Sequence, residues 1–314
     1  MKRIFCAVLS LLLLAVTGCG AAESRTDTSG RLRVVCTLFP YYDFVRQIGG
    51  DDVDNVLLLS PGREAHSFEP TPMDIITVRE AGLFIYNGGE GEVWVDDVLS
   101  AGGPAGDTVR MMDFVSPYQE EYTEGMQRAA GEAEDSDEIE YDEHIWTSPV
   151  NAAILCRAIC EALQKADPAH SDGYQARLDA YLAQLSALDT AFRQVVAQGH
   201  RDLLVFGDRF PLLYFCKTYG LSYRAAFHGC AGDTEPSLAT LKYLIDKVKE
   251  EQIPVVYTID LSSQQIGRAI AESTGAEVVT FYSCQNISRA DFDRGETYLS
   301  LMGKNVDALR KGLA

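Results

Sequence analysis

The chain has 314 residues, of which 46% are hydrophobic and 10% aromatic, so it can fold as one large or two medium globular domains and is not globally disordered. Its 46 acidic residues outnumber its 27 basic residues, which gives a formal charge of −19. A chain with this charge repels phosphate backbones, so nucleic acid is excluded as an expected partner, whereas small cations remain possible ligands.

The N-terminus has the pattern of a secretory signal peptide. Two basic residues precede 14 uncharged residues, 4–17, and this run is shorter than the roughly 20 residues that a membrane-spanning helix needs. The run ends in Gly18-Cys19, which resembles the bacterial lipobox, in which the cysteine becomes the lipidated first residue of the mature protein. We therefore expect 1–18 to be removed, Cys19 to carry a lipid, and 19–31 to form a flexible tether on the outer face of the cell membrane.

Short apolar strands alternate with helices in the first half of the mature chain. The sequence predicts strands at 32–37, 53–59, 83–86 and 109–112, and helices at 41–48 and 71–81. This alternation is typical of a parallel sheet that is covered on both faces. We therefore assign residues 32–167 to an N-terminal α/β lobe.

Residues 119–143 interrupt this pattern. Eleven of them are Asp or Glu, a single one is basic, and few are apolar. This composition predicts a mobile acidic surface loop. The pattern fits a merely solvated linker as well as it fits a functional segment.

A long helix separates the first half from a second set of alternating elements. Ser148-Pro149 begins a helix that continues to about residue 165, with Ser at the N-cap and Pro at the first position. Apolar residues from 171 to 198 are spaced alternately four and three apart, which predicts an unbroken amphipathic helix of about 42 Å. We assign 168–199 to a helix that connects two lobes.

The remaining residues, 200–314, are predicted to form a C-terminal α/β lobe. Its predicted strands and helices are strands 203–206, 255–259 and 277–282, and helices 211–219, 237–251, 263–274 and 297–314.

Four side chains that could bind a metal follow predicted strands or begin a helix. In open α/β sheets, ligands bind beyond the carboxyl ends of the strands. His66 lies in the loop after the second strand, His144 lies between the acidic loop and a helix, and Asp208 and Asp260 follow strands of the second lobe. Two imidazoles and two carboxylates, two from each lobe, would form a transition-metal site.

Two further residues that could bind a metal, His228 and Glu235, follow an apolar stretch near residue 223. His170 and His200 flank the long helix and are expected to be solvated. The sequence contains no Gly-rich phosphate loop with Lys, no GxSxG and no HExxH, so it carries no local signal for nucleophilic catalysis.

Taken together, these motifs resemble the metal-binding lipoproteins of zinc and manganese ABC importers, the cluster A-I substrate-binding proteins. The resemblance covers essentially the whole mature chain in order. Its matching pieces are the lipobox, His66-Ser-Phe-Glu-Pro-Thr-Pro, Tyr86-Asn-Gly-Gly with Glu92-Val-Trp94, His144-Ile-Trp-Thr-Ser-Pro, the long central helix, Tyr214-Phe-Cys-Lys-Thr-Tyr219-Gly220-Leu221, Thr234-Glu235-Pro236-Ser237 and the C-terminal helix.

The resemblance implies two pseudo-symmetric βα lobes joined by a rigid helix, with one metal in the cleft between them. It carries His66 and His144 over directly as metal ligands. The family's third ligand is a His or Glu before an aromatic helix, and Asp208 is the nearest coordinating side chain here. The fourth is an acid after a late strand, for which Asp260 is nearest. The family often has a His-rich loop where this chain has the acidic segment 119–143.

The function that the resemblance implies is capture of a divalent transition metal and its delivery to an ABC permease and its ATPase. Zinc is favoured because imidazole ligands suit it, and His228 would strengthen that preference, whereas a set of two His and two carboxylates would also suit manganese. We expect a lipid-anchored monomer that is not an enzyme. A manganese-specific protein of the same family, a zinc metalloenzyme and a metal-independent adhesin are the alternatives.

Six cysteines remain beyond Cys6 and Cys19. An exported protein can form disulfides, and if any pair forms we expect it to be Cys230 with Cys284, because both are predicted in loops beside strands. Cys156 and Cys160 lie four residues apart in a predicted helix, where they should pack as small apolar residues.

Overall fold

The computed structural model describes residues 30–65, 67–127, 140–229 and 235–314. The predicted signal peptide, the lipidation site Cys19 and most of the tether lie outside these ranges. His66 and Cys230 also lie outside the described residues, as does the central part of the acidic segment, 128–139.

The first lobe is built on a four-stranded parallel sheet. Its elements in chain order are β1 (Leu32–Cys36), α1 (Phe39–Gly49), β2 (Val53–Leu57), α2 (Pro72–Arg79), β3 (Leu83–Tyr86), α3 (Trp94–Ser100) and β4 (Asp107–Arg110). The strand order is β2-β1-β3-β4, with every neighbouring pair parallel. The central strands β1 and β3 are buried almost throughout, as a sheet covered on both faces requires.

Two helices follow the first sheet, namely α4 (Pro149–Ala166) and α5 (Ser171–Gln198). The Ser148 side chain accepts a hydrogen bond from the Asn151 amide, which caps α4 as predicted. The buried residues of α5 are those of the predicted stripe, at alternating spacings of four and three: Tyr174, Leu178, Tyr181, Leu185, Leu188, Phe192 and Val195.

The second lobe repeats the topology of the first. Its elements are β5 (Leu203–Phe210), α6 (Leu213–Tyr219), β6 (Ser222–His228), α7 (Leu238–Glu250), β7 (Val255–Ile259), α8 (Gln265–Thr274), β8 (Glu277–Phe281), α9 (Arg289–Asp293) and α10 (Tyr298–Leu313). Its strand order is β6-β5-β7-β8, again all parallel. In each lobe the second strand is at the edge and the first lies beside it, which confirms the predicted pair of pseudo-symmetric lobes.

Helix α5 holds the lobes together. It packs against α1, α4 and α10. One apolar core runs from the first sheet through the buried stripe of α5 into the second lobe. Arg177 of α5 also donates hydrogen bonds to the carbonyl oxygens of Ile48 and Gly49 and forms an ion pair with Asp52. The two lobes are therefore joined by packing as well as by the chain.

Two features of the second sheet differ from the sequence-based prediction. Strand β6 was not predicted, and β5 extends to Phe210 rather than ending at residue 206. The pairing of β5 with β6 shifts register between Phe206 and Arg209, so a bulge lies there. Asp208, which was expected to follow the strand, consequently lies inside it. Gly207 permits this path, because a Cβ there would come 2.5 Å from the Gly267 Cα.

The acidic segment is not a free loop at its described ends. Gln119 and Tyr141 form an antiparallel bridge, so its two ends pair with each other. The Gln127 amide then donates to the Ala226 carbonyl oxygen of β6. Lys217 of α6 forms an ion pair with Glu121. The predicted mobile loop is thus held against the second lobe on both sides of 128–139.

Five cysteines in the described ranges are buried free thiols: Cys36, Cys156, Cys160, Cys216 and Cys284. Cys230, the partner that the sequence analysis considered for Cys284, lies outside the described residues. Cys156 and Cys160 pack inside α4 as small apolar residues, as predicted. No helix in the described ranges has the length and apolar character needed to cross a bilayer.

Candidate metal centre

His144 is the fully buried centre of the candidate site. It lies between the acidic segment and a single helical turn that leads into α4. Its Nδ1 is 3.2 Å from Asp142 Oδ1, and the same oxygen accepts the His144 backbone amide at 2.7 Å. The ring also packs edge-on against Trp146, with the centroids 5.5 Å apart. A carboxylate at Nδ1 places the proton there, so Nε2 is the nitrogen that would coordinate a metal.

The electrostatics of His144 combine two opposing effects. Burial is the largest single effect and lowers the pKa of the imidazole, but the charge and hydrogen bond of Asp142 together with the charges of Glu120 and Glu143 outweigh it. The net result is a raised pKa for His144. The surrounding carboxylates therefore attract positive charge to this position, whether it comes from a proton or from a metal ion.

His228 ends β6 and lies close to His144. It is 3% exposed, and its Nδ1 is 3.8 Å from Glu120 Oε1. The Tyr122 ring packs beside it at 5.3 Å. The next residue, Gly229, lies directly against the His144 ring, because a Cβ there would come 3.0 Å from His144 Cε1. The end of β6 thus places the residue that follows His228 against the His144 ring.

Asp208 is used for backbone hydrogen bonds in the second sheet. Its two carboxylate oxygens accept from the amides of Arg209, at 2.9 Å, and Ile259, at 3.3 Å. Burial raises the pKa of this carboxyl. The adjacent Arg209 reaches Glu64 of the first lobe and forms an ion pair of 2.8 Å.

Asp260 has a similar role at the end of β7. Its Oδ1 accepts the Ser283 amide at 2.6 Å, which ties β7 to the chain that follows β8. Burial raises the pKa of this carboxyl to about 6. Both predicted carboxylate ligands therefore lie near the carboxyl ends of their strands but are engaged by backbone donors.

The other candidates are separated from this centre or lie outside the described residues. Glu235, His170 and His200 are exposed, and His170 pairs with Asp167. His66 is not among the described residues, but the second lobe holds the chain leading to it, because Asn286 donates to the carbonyl oxygens at positions 60 and 63. Within the described ranges, no group of three or more His, Cys, Asp or Glu is placed so that it could hold a metal ion. A complete site must therefore include a side chain outside them, or the described ligands must move.

Two buried acids beside the site were not predicted as functional residues. Glu143 Oε1 accepts the Gly91 amide, and Glu92 accepts the Gly88 amide, each at 2.8 Å. Both line a small cavity whose walls come mostly from the first lobe and include Gln285 of the second lobe. Gly89 has φ of 103°, and a Cβ there would come 2.6 Å from the Glu143 carboxyl carbon. Gly89 is therefore required by the close approach of Glu143, a requirement that the sequence motif alone did not reveal.

Comparison with known proteins identifies the fold and its family. The family model described as zinc-uptake complex component A, periplasmic (ZnuA), matches residues 34–312. This chain is a member of the ZnuA family. The match spans both lobes and the connecting helix, so family membership rests on the whole fold and not on the His motifs alone.

Individual members of the ZnuA family resemble this chain along its full length. It is 30% identical to the high-affinity zinc uptake system protein ZnuA of Bacillus subtilis, over 99% of this chain and 97% of that protein. It is 27% identical to the zinc-binding lipoprotein AdcA of Streptococcus pneumoniae over 99% of this chain, but covers only 61% of AdcA. The Zn(II)-bound ZnuA-like domain of AdcA superimposes with a TM-score of 0.73 and 27% identity, covering 90% of this chain and 99% of that domain.

Proposed function

We propose that this protein captures zinc outside the cytoplasm and delivers it to an ABC permease that is powered by its ATPase. The observation that carries the proposal is His144, a fully buried imidazole that is oriented by Asp142 at a junction between the lobes. An imidazole held this way by a carboxylate is the usual arrangement of a zinc ligand. The names of the B. subtilis and S. pneumoniae relatives, a zinc uptake protein and a zinc-binding lipoprotein, support the choice of metal.

We infer that His66 and His144 are ligands and that His228 is the third. Asp208 and Asp260 are the alternatives, and either would have to give up hydrogen bonds from backbone amides before it could coordinate. Leaving a buried amide without an acceptor costs about 1–3 kcal/mol. His228 is favoured because its neighbour Gly229 already touches His144.

Zinc is favoured over manganese by this set of ligands. Three imidazoles with at most one carboxylate suit zinc, whereas manganese prefers a site richer in oxygen ligands. Zinc also binds such ligands more strongly than manganese does. The anchored, extracytoplasmic location completes the proposal, with Cys19 as the lipidated residue. Relatives that bind and take up zinc favour a transport role over catalysis.

Competition between the two metals tests this proposal. Metal-free protein from residue 20 onward would be offered equal zinc and manganese together with a chelator, and the bound metal would be measured. We expect one zinc and little manganese per chain, and we expect His144→Ala to lose most of this zinc. The exposed His200 provides a matched control, because His200→Ala should bind zinc like the wild type. Preferential manganese binding, or full zinc binding by His144→Ala, would contradict the proposal.

A further inference from the structure

Glu120 lies at the start of the acidic segment, where the chain is paired with the end of the same segment. Its backbone amide donates to the Glu140 carbonyl oxygen, beside the bridge between Gln119 and Tyr141. Glu140 lies four residues before His144. The same pairing that closes the base of the acidic segment therefore fixes Glu120 with respect to His144.

The Glu120 side chain differs from the other acids of this segment. It is only 6% exposed, and its Oε1 has no hydrogen-bond partner within the described part of the chain. Glu121, next to it, forms an ion pair with Lys217, and Glu124 accepts the Tyr243 hydroxyl. Burying a carboxylate oxygen without a donor is costly, so an acid kept in this state needs a cationic partner.

The geometry around Glu120 indicates what that partner is. Its Oε1 is 3.8 Å from His228 Nδ1, which is too far for a hydrogen bond. Two ligand atoms on a tetrahedral zinc, each about 2.0–2.1 Å from the metal, lie about 3.4 Å apart. The observed spacing is close to that value. The charge of Glu120 also contributes to the raised pKa of His144.

We propose that Glu120 is a carboxylate ligand of the interlobe metal, alongside His144 and His228, with these side chains moving closer together when the metal binds, because no three described side chains are placed to hold a metal as they stand. This inference rests on the zinc-capture function proposed above. It assigns to the acidic segment a direct part in the primary site, because the segment supplies one coordinating oxygen. It also gives the site a carboxylate without disturbing the backbone hydrogen bonds of Asp208 and Asp260.

Glu120→Gln tests the inference, with Glu121→Gln as the matched control. Both variants remove one negative charge from adjacent positions of the same segment, so the long-range electrostatic change is the same. We expect Glu120→Gln to weaken zinc binding at least about 30-fold near pH 7, measured by competition with a chelator, and Glu121→Gln to stay within about threefold of the wild type.

A cobalt-substituted protein distinguishes coordination from a purely structural effect. Loss of a carboxylate ligand should change the visible absorption spectrum of bound cobalt in Glu120→Gln, whereas Glu121→Gln should keep the wild-type spectrum. Glu120→Asp keeps a carboxylate and should bind more tightly than Glu120→Gln if the oxygen coordinates. A spectrum and an affinity like those of the wild type in Glu120→Gln would overturn the inference.

The His144→Ala variant distinguishes failure of the Glu120 inference from failure of the proposed zinc-capture function. If His144→Ala loses zinc while Glu120→Gln retains wild-type affinity and spectrum, Glu120 is not a ligand and the capture function stands. If both variants bind zinc as the wild type does, the proposed site fails as well. Circular dichroism of the metal-free variants would identify a folding defect, and Glu120→Asp then provides the decisive comparison.

Discussion

At the residue scale, the pair formed by His144 and Asp142 determines how the site would work. One oxygen of Asp142 holds both the backbone amide and the ring of His144. Both side chains are fully buried, so the ring is oriented before any metal arrives. Such preorganisation raises affinity, because little side-chain entropy remains to be lost on binding.

Asp142→Asn should therefore weaken zinc binding by about 10- to 100-fold, the usual cost of removing the acceptor that orients a metal-bound His. Asp167→Asn is the matched control, because Asp167 also pairs with a His, namely His170, away from the site. Titration of both variants against a competing chelator would measure the difference. Equal affinities in the two variants would mean that Asp142 does not orient a ligand.

Zinc affinity should fall as pH decreases from about 8 to about 5. Metal binding needs a neutral imidazole, and protons compete for the same nitrogen. Because the pKa of His144 is raised above its usual 6.5, the loss should begin at a higher pH than an unperturbed His would give. More than one imidazole ligand should make the loss steeper than one proton per metal.

Calorimetry in buffers with different ionisation enthalpies measures the protons released when zinc binds. A release near zero at about pH 6 would mean that imidazoles do not coordinate. The site would then have to be formed by carboxylates such as Asp208 and Asp260.

At the element scale, the end of β6 is the feature that assembles the site. Its last residue is His228, and the following glycine packs against His144 and the Phe210 carbonyl oxygen. Neither contact leaves room for a side chain. A small residue at position 229 is therefore needed for β6 to approach His144.

Gly229→Ala should weaken zinc binding by roughly tenfold or more, because the added methyl would lie 3.0 Å from both the Phe210 carbonyl oxygen and the His144 ring, and so displace the imidazole. Gly303→Ala in α10 is the control, since a Cβ there meets nothing within 4 Å. Zinc titration of the two variants checks the prediction. Wild-type affinity in Gly229→Ala would show that this approach is not needed.

Some helices and strands could be predicted from the sequence, and others could not. The stripe of α5 and the cap of α4 depend on nearby residues, so their positions could be read from spacing and residue type. Strand β6 could not, because its alanines and Arg224 give a weak local pattern and its pairing with β5 is non-local. The bulge that draws Asp208 into β5 depends on the contact of Gly207 with Gly267, which sequence spacing does not reveal.

Sequence reasoning was limited in the same way at the candidate metal site, because non-local contacts decide which side chains meet there. His144 was predicted from its local motif, and the structure shows it buried and oriented. Glu120 was not singled out, because 11 acids share its segment and composition alone does not show which one is buried. Its position beside His228 depends on non-local pairing, namely the bridge between Gln119 and Tyr141 and the hydrogen bond from the Gln127 amide to Ala226 of β6.

At the scale of the whole molecule, the lobes meet around the candidate site through specific contacts. Trp146 donates from its ring nitrogen to the Ser283 carbonyl oxygen, and the Tyr298 hydroxyl donates to the Trp146 carbonyl oxygen. Arg209 pairs with Glu64 across the cleft. These contacts and the continuous core along α5 join the two lobes around the site.

X-ray diffraction from crystals of the zinc-loaded protein, recorded at the zinc absorption edge, tests the central claim most directly. We expect one strong anomalous peak per chain, between the lobes and about 2.0–2.1 Å from His144 Nε2, with His66, His228 and Glu120 completing the coordination. A peak away from His144, several equally occupied peaks, or a peak coordinated only by carboxylates would contradict the account.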